Sequence, residues 1–197
     1  MNTVIASTIL GVCLAIGGAG LVGLAADADM RFPPHSLAPD DARSDAFRNQ
    51  WYSKQLVAMD EPALAASSNA RTYRFLWLRT FHHPVAVRVV RDVAGDRVIA
   101  TELDGAGGYE PGDVLRRKEI ALTTEQADAF ERAIEADGLW SLALPRGEVG
   151  KDGSEWIVEG ASTKYRVVSQ WSPDEGPVRA MGERFLALTE WTFEDVY

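Results

Sequence analysis

The stretch YRFLWLRTFHHPVAVRVVRDVAGDRVIATEL, residues 73–103, decides the fold of this chain. Its first part, residues 73–80, has apolar side chains on both faces of an alternating pattern, which predicts a central strand covered on both sides. The turn Ala94-Gly95-Asp96 joins a strand at 85–91 to a strand at 98–103. Consecutive strands joined by short turns predict an antiparallel sheet.

Patterns on either side of this meander complete the domain. Thr123 and Gln126 match a capping box, and Gly138 supplies a left-handed helix stop, so a helix is predicted between them. Further strands are predicted at 115–122, 154–159 and 164–171, and further helices at 43–59 and from Ser172 or Pro177 onward. We therefore expect an α+β fold: one domain with a mainly antiparallel sheet of about six strands and three helices, preceded by an N-terminal hydrophobic helix.

That N-terminal helix is predicted from the run VIASTILGVCLAIGGAGLVGLAA, residues 4–26, which contains no charged side chain. As a helix the run would be about 35 Å long, enough to cross a bilayer core of about 30 Å. A candidate cleavage site, Ala26-Asp27-Ala28, fits an exported protein instead. The length of the run and the absence of Lys or Arg before it favour a retained anchor. Residues 1–28 are therefore a signal peptide or a transmembrane anchor.

Small residues recur every four positions within this run. Such a ridge lets two membrane helices approach closely, so that van der Waals packing drives their association. The predicted helix-packing ridge consists of Ser7, Gly11, Ala15, Ala19 and Gly23.

Composition limits the classes of partner. The formal net charge is −9 and the pI is about 4.8, which argues against nucleic-acid binding because phosphates are neutralised by Lys and Arg. The proline-rich stretch 29–42 is interpreted as an extended linker, and residues 43–197 as the globular domain. No motif for a cofactor is present, and the only adjacent histidines have no spacing typical of a metal site.

Those histidines, His82 and His83, point to opposite faces if they lie on a strand, and Pro84 marks a strand end. We assign no catalytic residue. The loop 104–113 contains Gly107 and Gly108 but lacks the context of a phosphate-binding motif, so it is interpreted as a mobile hairpin loop. Because such loops often carry binding, both glycines are candidate binding residues.

The C-terminal hairpin is the other candidate binding element. Alternation places Trp156 and Val158 on one face of the first strand, and Tyr165 and Trp171 on one face of the second. If those faces coincide, the hairpin presents a surface of Trp156, Tyr165 and Trp171 for recognition. The alternative is a core face beneath the helices, since aromatic residues dominate core burial.

Several short segments resemble a family of small uncharacterised exported bacterial proteins. They share a Trp-x-x-Glu-Gly strand, a Tyr-containing partner strand and a Trp-Ser-Pro turn, and the resemblance covers residues 45–192. The segments that carry it are YRFLWLRTFHHPVAVRV, GLWSL, DGSEWIVEG, KYRVVSQWSP and GERFLALTEW. The resemblance implies a self-standing domain in an exported or membrane-tethered setting, and it transfers no catalytic residue.

The function expected is a non-enzymatic accessory or binding protein of the bacterial envelope with a protein partner. It would be anchored in the inner membrane through residues 4–26 and face the periplasm, or be secreted to the periplasm if the segment is cleaved. One alternative is a small envelope hydrolase that uses a histidine and a carboxylate. A second alternative is an acidic inhibitor or immunity protein.

Overall fold

A computed structural model describes residues 29–143 and 150–197, and these confirm the predicted α+β class. They form three helices and one six-stranded antiparallel sheet. The helices are α1 (Ala42–Ala58), α2 (Thr124–Ala136) and α3 (Pro177–Leu188). The strands are β1 (Arg71–Arg79), β2 (Val85–Asp92), β3 (Gly95–Leu103), β4 (Val114–Ala121), β5 (Ser154–Ala161) and β6 (Tyr165–Trp171).

The strand order is β4-β3-β2-β1-β5-β6. The first four strands form a meander, and the β5–β6 hairpin adds to the other side of β1. β1 is therefore a central strand, and it is buried on both faces from Tyr73 onward, as its sequence predicts.

The two faces of the sheet carry separate apolar cores. On one face, Phe75, Trp77 and Trp156 pack beneath α2 and α3. On the other face, Leu76, Leu78 and Ile157 pack beneath α1. The alternation of side chains along β1 supplies both cores, because successive residues of a strand point to opposite faces.

Local signals in the sequence set the ends of the helices. α2 begins at the predicted capping box, in which Thr123 Oγ1 accepts from Gln126 N and Gln126 Oε1 accepts from Thr123 N. Gly138 follows α2 with φ +89°, the predicted left-handed stop. α1 begins earlier than its apolar pattern suggests, because Asp41 is the N-cap and accepts from the amides of Arg43 and Ser44.

The stretch predicted as an extended linker is packed on the domain over much of its length. Phe32 is buried against Tyr52 of α1. The Asp45 carboxylate accepts three backbone N–H groups, those of His35, Leu37 and Ala38. These contacts hold the segment on α1, so the folded domain includes residues N-terminal to 43.

The run 4–26 and the small-residue ridge of Ser7, Gly11, Ala15, Ala19 and Gly23 lie outside the described residues. Within 29–143 and 150–197, no helix has both the length and the apolar character needed to cross a bilayer.

Candidate binding groove

An open groove of about 560 Å³ lies between α1, the loop 104–113 and the C-terminal end of β6. It contains two of the predicted binding residues, Gly108 and Trp171. The other residues that line it are Phe47, Gln50, Trp51, Lys54, Thr80, Tyr109, Glu110, Gly150 and Lys151. We refer to this set of residues as the aromatic groove.

Helix α1 forms one wall of the groove, because one of its sides packs on the sheet and another faces the groove. Tyr52 and Leu56 point to the sheet and have no solvent exposure. Phe47 and Trp51, one turn apart, face the groove, and their ring centroids are 6.2 Å from each other. Phe47 is 60% exposed. An aromatic side chain at that exposure gains little from the fold of its own domain.

The loop 104–113 supplies the opposite wall and is anchored at its glycines. Gly107 N donates to His82 O, and Gly108 N donates to Thr80 O. A Cβ on Gly107 would lie 2.7 Å from backbone atoms of Arg79, so only glycine allows the loop to lie on the end of β1. The Trp51 indole N–H donates to Gly107 O at 2.8 Å. The loop predicted to be mobile is thus tied to both α1 and the sheet.

Two further aromatic side chains lie at the rim, Tyr109 on the anchored loop and Phe81 between β1 and β2. Tyr109 is 61% exposed and Phe81 is 59% exposed, and their ring centroids are 6.2 Å apart. The Gln55 side-chain amide donates to the carbonyl of Tyr109 at 3.2 Å. Lys54 Nζ and Glu110 Oε1 are 2.6 Å apart across the groove. The rim is therefore aromatic with a few charged groups.

Trp171 closes the groove at the end of β6. Its indole ring lies against the main chain at Gly150 and Gly153, where a Cβ would come within 2.2 Å and 2.9 Å of Nε1. Gly153 also has φ +145°, a conformation that favours glycine. The two glycines hold the Trp171 ring in place while the side chain stays partly exposed.

A buried carboxylate lies directly across the strand pair from Trp171. Glu155 is 1% exposed, and its Oε1 is 3.8 Å from Arg48 NH1. Burial raises the pKa of Glu155, while the Arg48 charge opposes that shift. Burial also raises the pKa of Tyr52 well above its ordinary value, and the nearby Glu155 charge adds to the shift. The cluster of Arg48, Tyr52 and Glu155 therefore lies between α1 and the sheet.

The predicted surface shared by Trp156, Tyr165 and Trp171 does not form. In the β5–β6 register Trp156 lies opposite Gln170, whereas Trp171 lies opposite Glu155, so the two indoles are on opposite faces. Trp156 has no solvent exposure and packs against Phe75 and Trp77 in the core. Of the three aromatic residues, Trp171 alone lines the groove.

Tyr165 instead belongs to a buried polar cluster on the α1 side of the sheet. Its hydroxyl donates to Glu159 Oε1 at 2.8 Å, and Arg74 Nε donates to Glu159 Oε2 at 2.7 Å. Gly160, next to Glu159, lies under Leu139, where a Cβ would come within 2.8 Å of the Leu139 side chain. The Trp-x-x-Glu-Gly motif and its tyrosine thus act in packing and in a buried ion pair.

The two histidines have different partners. His82 Nδ1 is 2.6 Å from the Tyr197 hydroxyl, and His83 Nδ1 is 3.5 Å from Glu102 Oε1. Glu102 also faces Arg79 and Arg116. Over the described ranges, no group of three or more His, Cys, Asp or Glu side chains is placed to hold a metal ion.

Neither the family models nor the curated proteins searched match this chain.

Sequence reasoning missed Phe47 and Tyr109 as parts of the site. Phe47 lies four residues before Trp51, a spacing that is also typical of two core residues on one face of a helix. The exposure of Phe47 is therefore known only once the position of the sheet relative to α1 is known. One feature of the sequence could have indicated the groove: Phe81 and Tyr109 are bulky aromatic residues that stand beside loop residues.

Proposed function

We propose that this chain is an accessory protein of the bacterial envelope that binds a protein partner through the aromatic groove. One observation carries the proposal. Phe47, Phe81 and Tyr109, from three separate segments, are each exposed by about 60% at or beside one groove. Aromatic residues are enriched in the energetically dominant positions of protein interfaces, which makes this cluster a candidate docking surface.

The partner proposed is a basic protein that inserts an aromatic or aliphatic side chain between Phe47, Trp51 and Tyr109. The groove volume of about 560 Å³ is ample for such a side chain. The charge of the chain as a whole supports a basic partner, since the net charge is −9 and the loop beside the groove exposes Asp104 and Asp113, whereas the groove itself holds Lys54, Lys151 and Glu110. Opposite charge on the partner would accelerate encounter.

Delivery to the envelope is part of the proposal. The apolar run 4–26 supports an inner-membrane anchor with the domain in the periplasm, or a cleaved signal with the domain secreted there. An inhibitor or immunity protein is a special case of the same proposal, because it would also bind one basic partner. The hydrolase alternative has one supporting distance, 3.5 Å between His83 Nδ1 and Glu102 Oε1.

Site-specific photo-cross-linking in a bacterial host tests the groove. Benzoylphenylalanine is placed at position 47 or at position 109, and at position 93 as the matched control. Val93 is fully exposed, and it lies in the β2–β3 turn at the opposite end of β2 from Phe81. We expect one and the same protein, identified by mass spectrometry, to be captured from positions 47 and 109 and not from position 93.

The captured protein is then purified and its affinity is measured directly. We expect F47A/Y109A to weaken binding at least tenfold, and V93A to leave it unchanged. Both aromatic side chains are largely exposed, so the double variant should keep its far-UV circular dichroism and its unfolding midpoint. Equal affinity for F47A/Y109A and the wild type would rule out the groove as the docking surface.

A further inference from the structure

Three buried hydrogen-bond donors converge on one main-chain oxygen near the end of the chain. The indole N–H groups of Trp77 and Trp156 donate to a main-chain oxygen of Tyr197 at 3.3 Å and 2.9 Å. The Ser154 hydroxyl donates to the same oxygen. The side chains of all three donor residues are fully buried. We call Trp77, Ser154 and Trp156 the tail seat, and residues 189–197 the tail.

Two arginine side chains beside the tail seat stack on aromatic rings, one of the seat and one of the tail. The Arg79 guanidinium lies 4.2 Å above the ring of Trp77, and the Arg116 guanidinium lies 4.1 Å above the ring of Trp191. The Phe193 ring lies between the two guanidinium groups, with its centroid 5.8 Å from that of Arg79 and 5.6 Å from that of Arg116. Stacking of guanidinium groups on aromatic faces is attractive and strengthens where water is excluded.

Side chains of the folded domain also hold the rest of the tail, which has no regular secondary structure. His82 Nδ1 lies 2.6 Å from the Tyr197 hydroxyl, and Arg179 donates to the carbonyl of Val196 at 3.1 Å. Trp77 and Phe193 meet edge to face with ring centroids 5.6 Å apart. The tail therefore occupies its place as a bound peptide would, through main-chain acceptors and inserted aromatic rings.

The connection between α3 and the tail is strained at one residue. Thr189 is buried and closes the helix by donating to Leu186 O at 2.8 Å. Glu190 follows with φ +57°, a left-handed conformation that is uncommon for residues other than glycine. An extended conformation at Glu190 would relieve this strain and lead the tail away from the domain.

We propose that the tail seat is a peptide-binding site whose ligand is an extended segment with aromatic residues, filled in cis by residues 189–197. When the tail leaves, the seat accepts the same segment from a second copy of the chain. Exchange between two copies recreates the same contacts, so the conformational preference at Glu190 and the local concentration decide which arrangement prevails. This inference does not depend on the aromatic groove.

The hinge residue allows a matched test on the full chain in detergent micelles. Glu190→Gly permits the left-handed conformation, whereas Glu190→Val disfavours it because valine is β-branched. Both variants lose the same ion pair with Lys118. The probe is a fluorescein-labelled peptide of the sequence TEWTFEDVY, residues 189–197, and its binding is followed by fluorescence anisotropy.

We expect E190V to bind the peptide at least tenfold more tightly than E190G, because the competing tail is displaced more readily. In E190V, a peptide with Phe193→Ala should bind at least fivefold more weakly, because only the added ligand loses the ring that packs on Trp77, while Ser141→Ala in the protein, at an exposed serine, should not change binding. Light scattering should show more dimer for E190V than for E190G. Equal peptide affinity for the two hinge variants would overturn the proposed site, and tight peptide binding without added dimer would overturn the second copy as its source.

Discussion

Arg74 on β1 and Glu159 on β5 are direct cross-strand partners, and both are fully buried. The Nε atom of Arg74 is 2.7 Å from Glu159 Oε2, and the same arginine donates to Pro62 O at 2.6 Å. Glu61 lies 3.7 Å from Arg74 and 2.7 Å from Arg88. The ion pair therefore links the centre of the sheet to the chain that leaves α1.

The first prediction concerns this pair. Glu159→Gln leaves the Arg74 charge buried without its main counter-charge, so we expect a loss of about 3–5 kcal/mol in the free energy of unfolding. Tyr165→Phe removes one hydrogen bond to Glu159 and should cost about 1 kcal/mol. Urea unfolding measures both losses. Asp137→Asn, which breaks the more exposed pair with Arg184, is the control and should cost less than about 1 kcal/mol. A similar loss for E159Q and D137N would contradict the structural role of the buried pair.

The second prediction concerns pH. Burial holds the pKa of Glu155 above its ordinary value of 4.5, so the folded state binds a proton more readily than the unfolded state. The stability that Glu155 contributes by binding this proton is therefore fully present below pH 4.5 and is lost as the pH rises through the raised pKa. We expect the wild type to gain stability relative to E155Q as the pH falls from 7 to 5. Urea unfolding of both proteins at the two pH values checks the sign, and a gain on raising the pH would contradict it.

The third prediction concerns the anchored loop. Gly107→Ala places a methyl group against the backbone of Arg79, and we expect it to cost about 1–3 kcal/mol and to loosen the loop 104–113. Trp51→Phe removes the indole donor to Gly107 O and should cost about 1 kcal/mol. Hydrogen exchange should then speed up at the amides of residues 107 and 108. Unchanged exchange in both variants would show that these contacts do not hold the loop.

The fourth prediction concerns the charge of the partner. If a basic protein binds the acidic domain, the association rate should fall at least tenfold between about 20 mM and 200 mM salt, while the dissociation rate changes little. Stopped-flow kinetics with the cross-linked partner, once purified, measures both rates. An association rate that is insensitive to salt would exclude a basic partner.

The fifth prediction concerns the N-terminal segment. We expect the chain to remain in the membrane fraction with residues 4–26 uncleaved, because the run is longer than the apolar stretch of an ordinary signal peptide. Mass spectrometry of the mature N-terminus, after separation of membrane and soluble envelope fractions, checks this. A start at Asp29 in the soluble fraction would mean that the segment is a cleaved signal.

Local patterns in the sequence predicted the fold because its elements follow local rules. The capping box at Thr123 and Gln126, and the alternation along β1, depend only on neighbouring residues. Asp41 was missed as the N-cap of α1 because the stretch 29–42 was interpreted as a linker. Its folding on α1 depends on Asp45, whose three backbone partners lie seven to ten residues away.

The aromatic hairpin was predicted less well because its arrangement depends on register. Ala161 pairs with Tyr165, which leaves residues 162–164 as a three-residue turn. A register in which Ser162 paired with Tyr165, around a two-residue turn, would have placed Trp156 opposite Trp171, on one face. The sequence predicts which residues share a face within β5 and within β6. It does not predict which face of β5 lies beside which face of β6, because a register shift of one residue turns every side chain of a strand to the other face. The aromatic groove was equally unpredictable, since it joins residues 47, 109 and 171.

The packed N-terminal segment limits how far the domain can stand from a bilayer. Arg31 N already donates to Ser53 Oγ on α1, so few residues separate the apolar run ending at Ala26 from the folded domain. Five peptide units span at most about 18 Å. With the run in a membrane, that short connecting segment would keep the domain beside the lipid headgroups. Its partners would then have to be membrane proteins or proteins that come to the membrane surface.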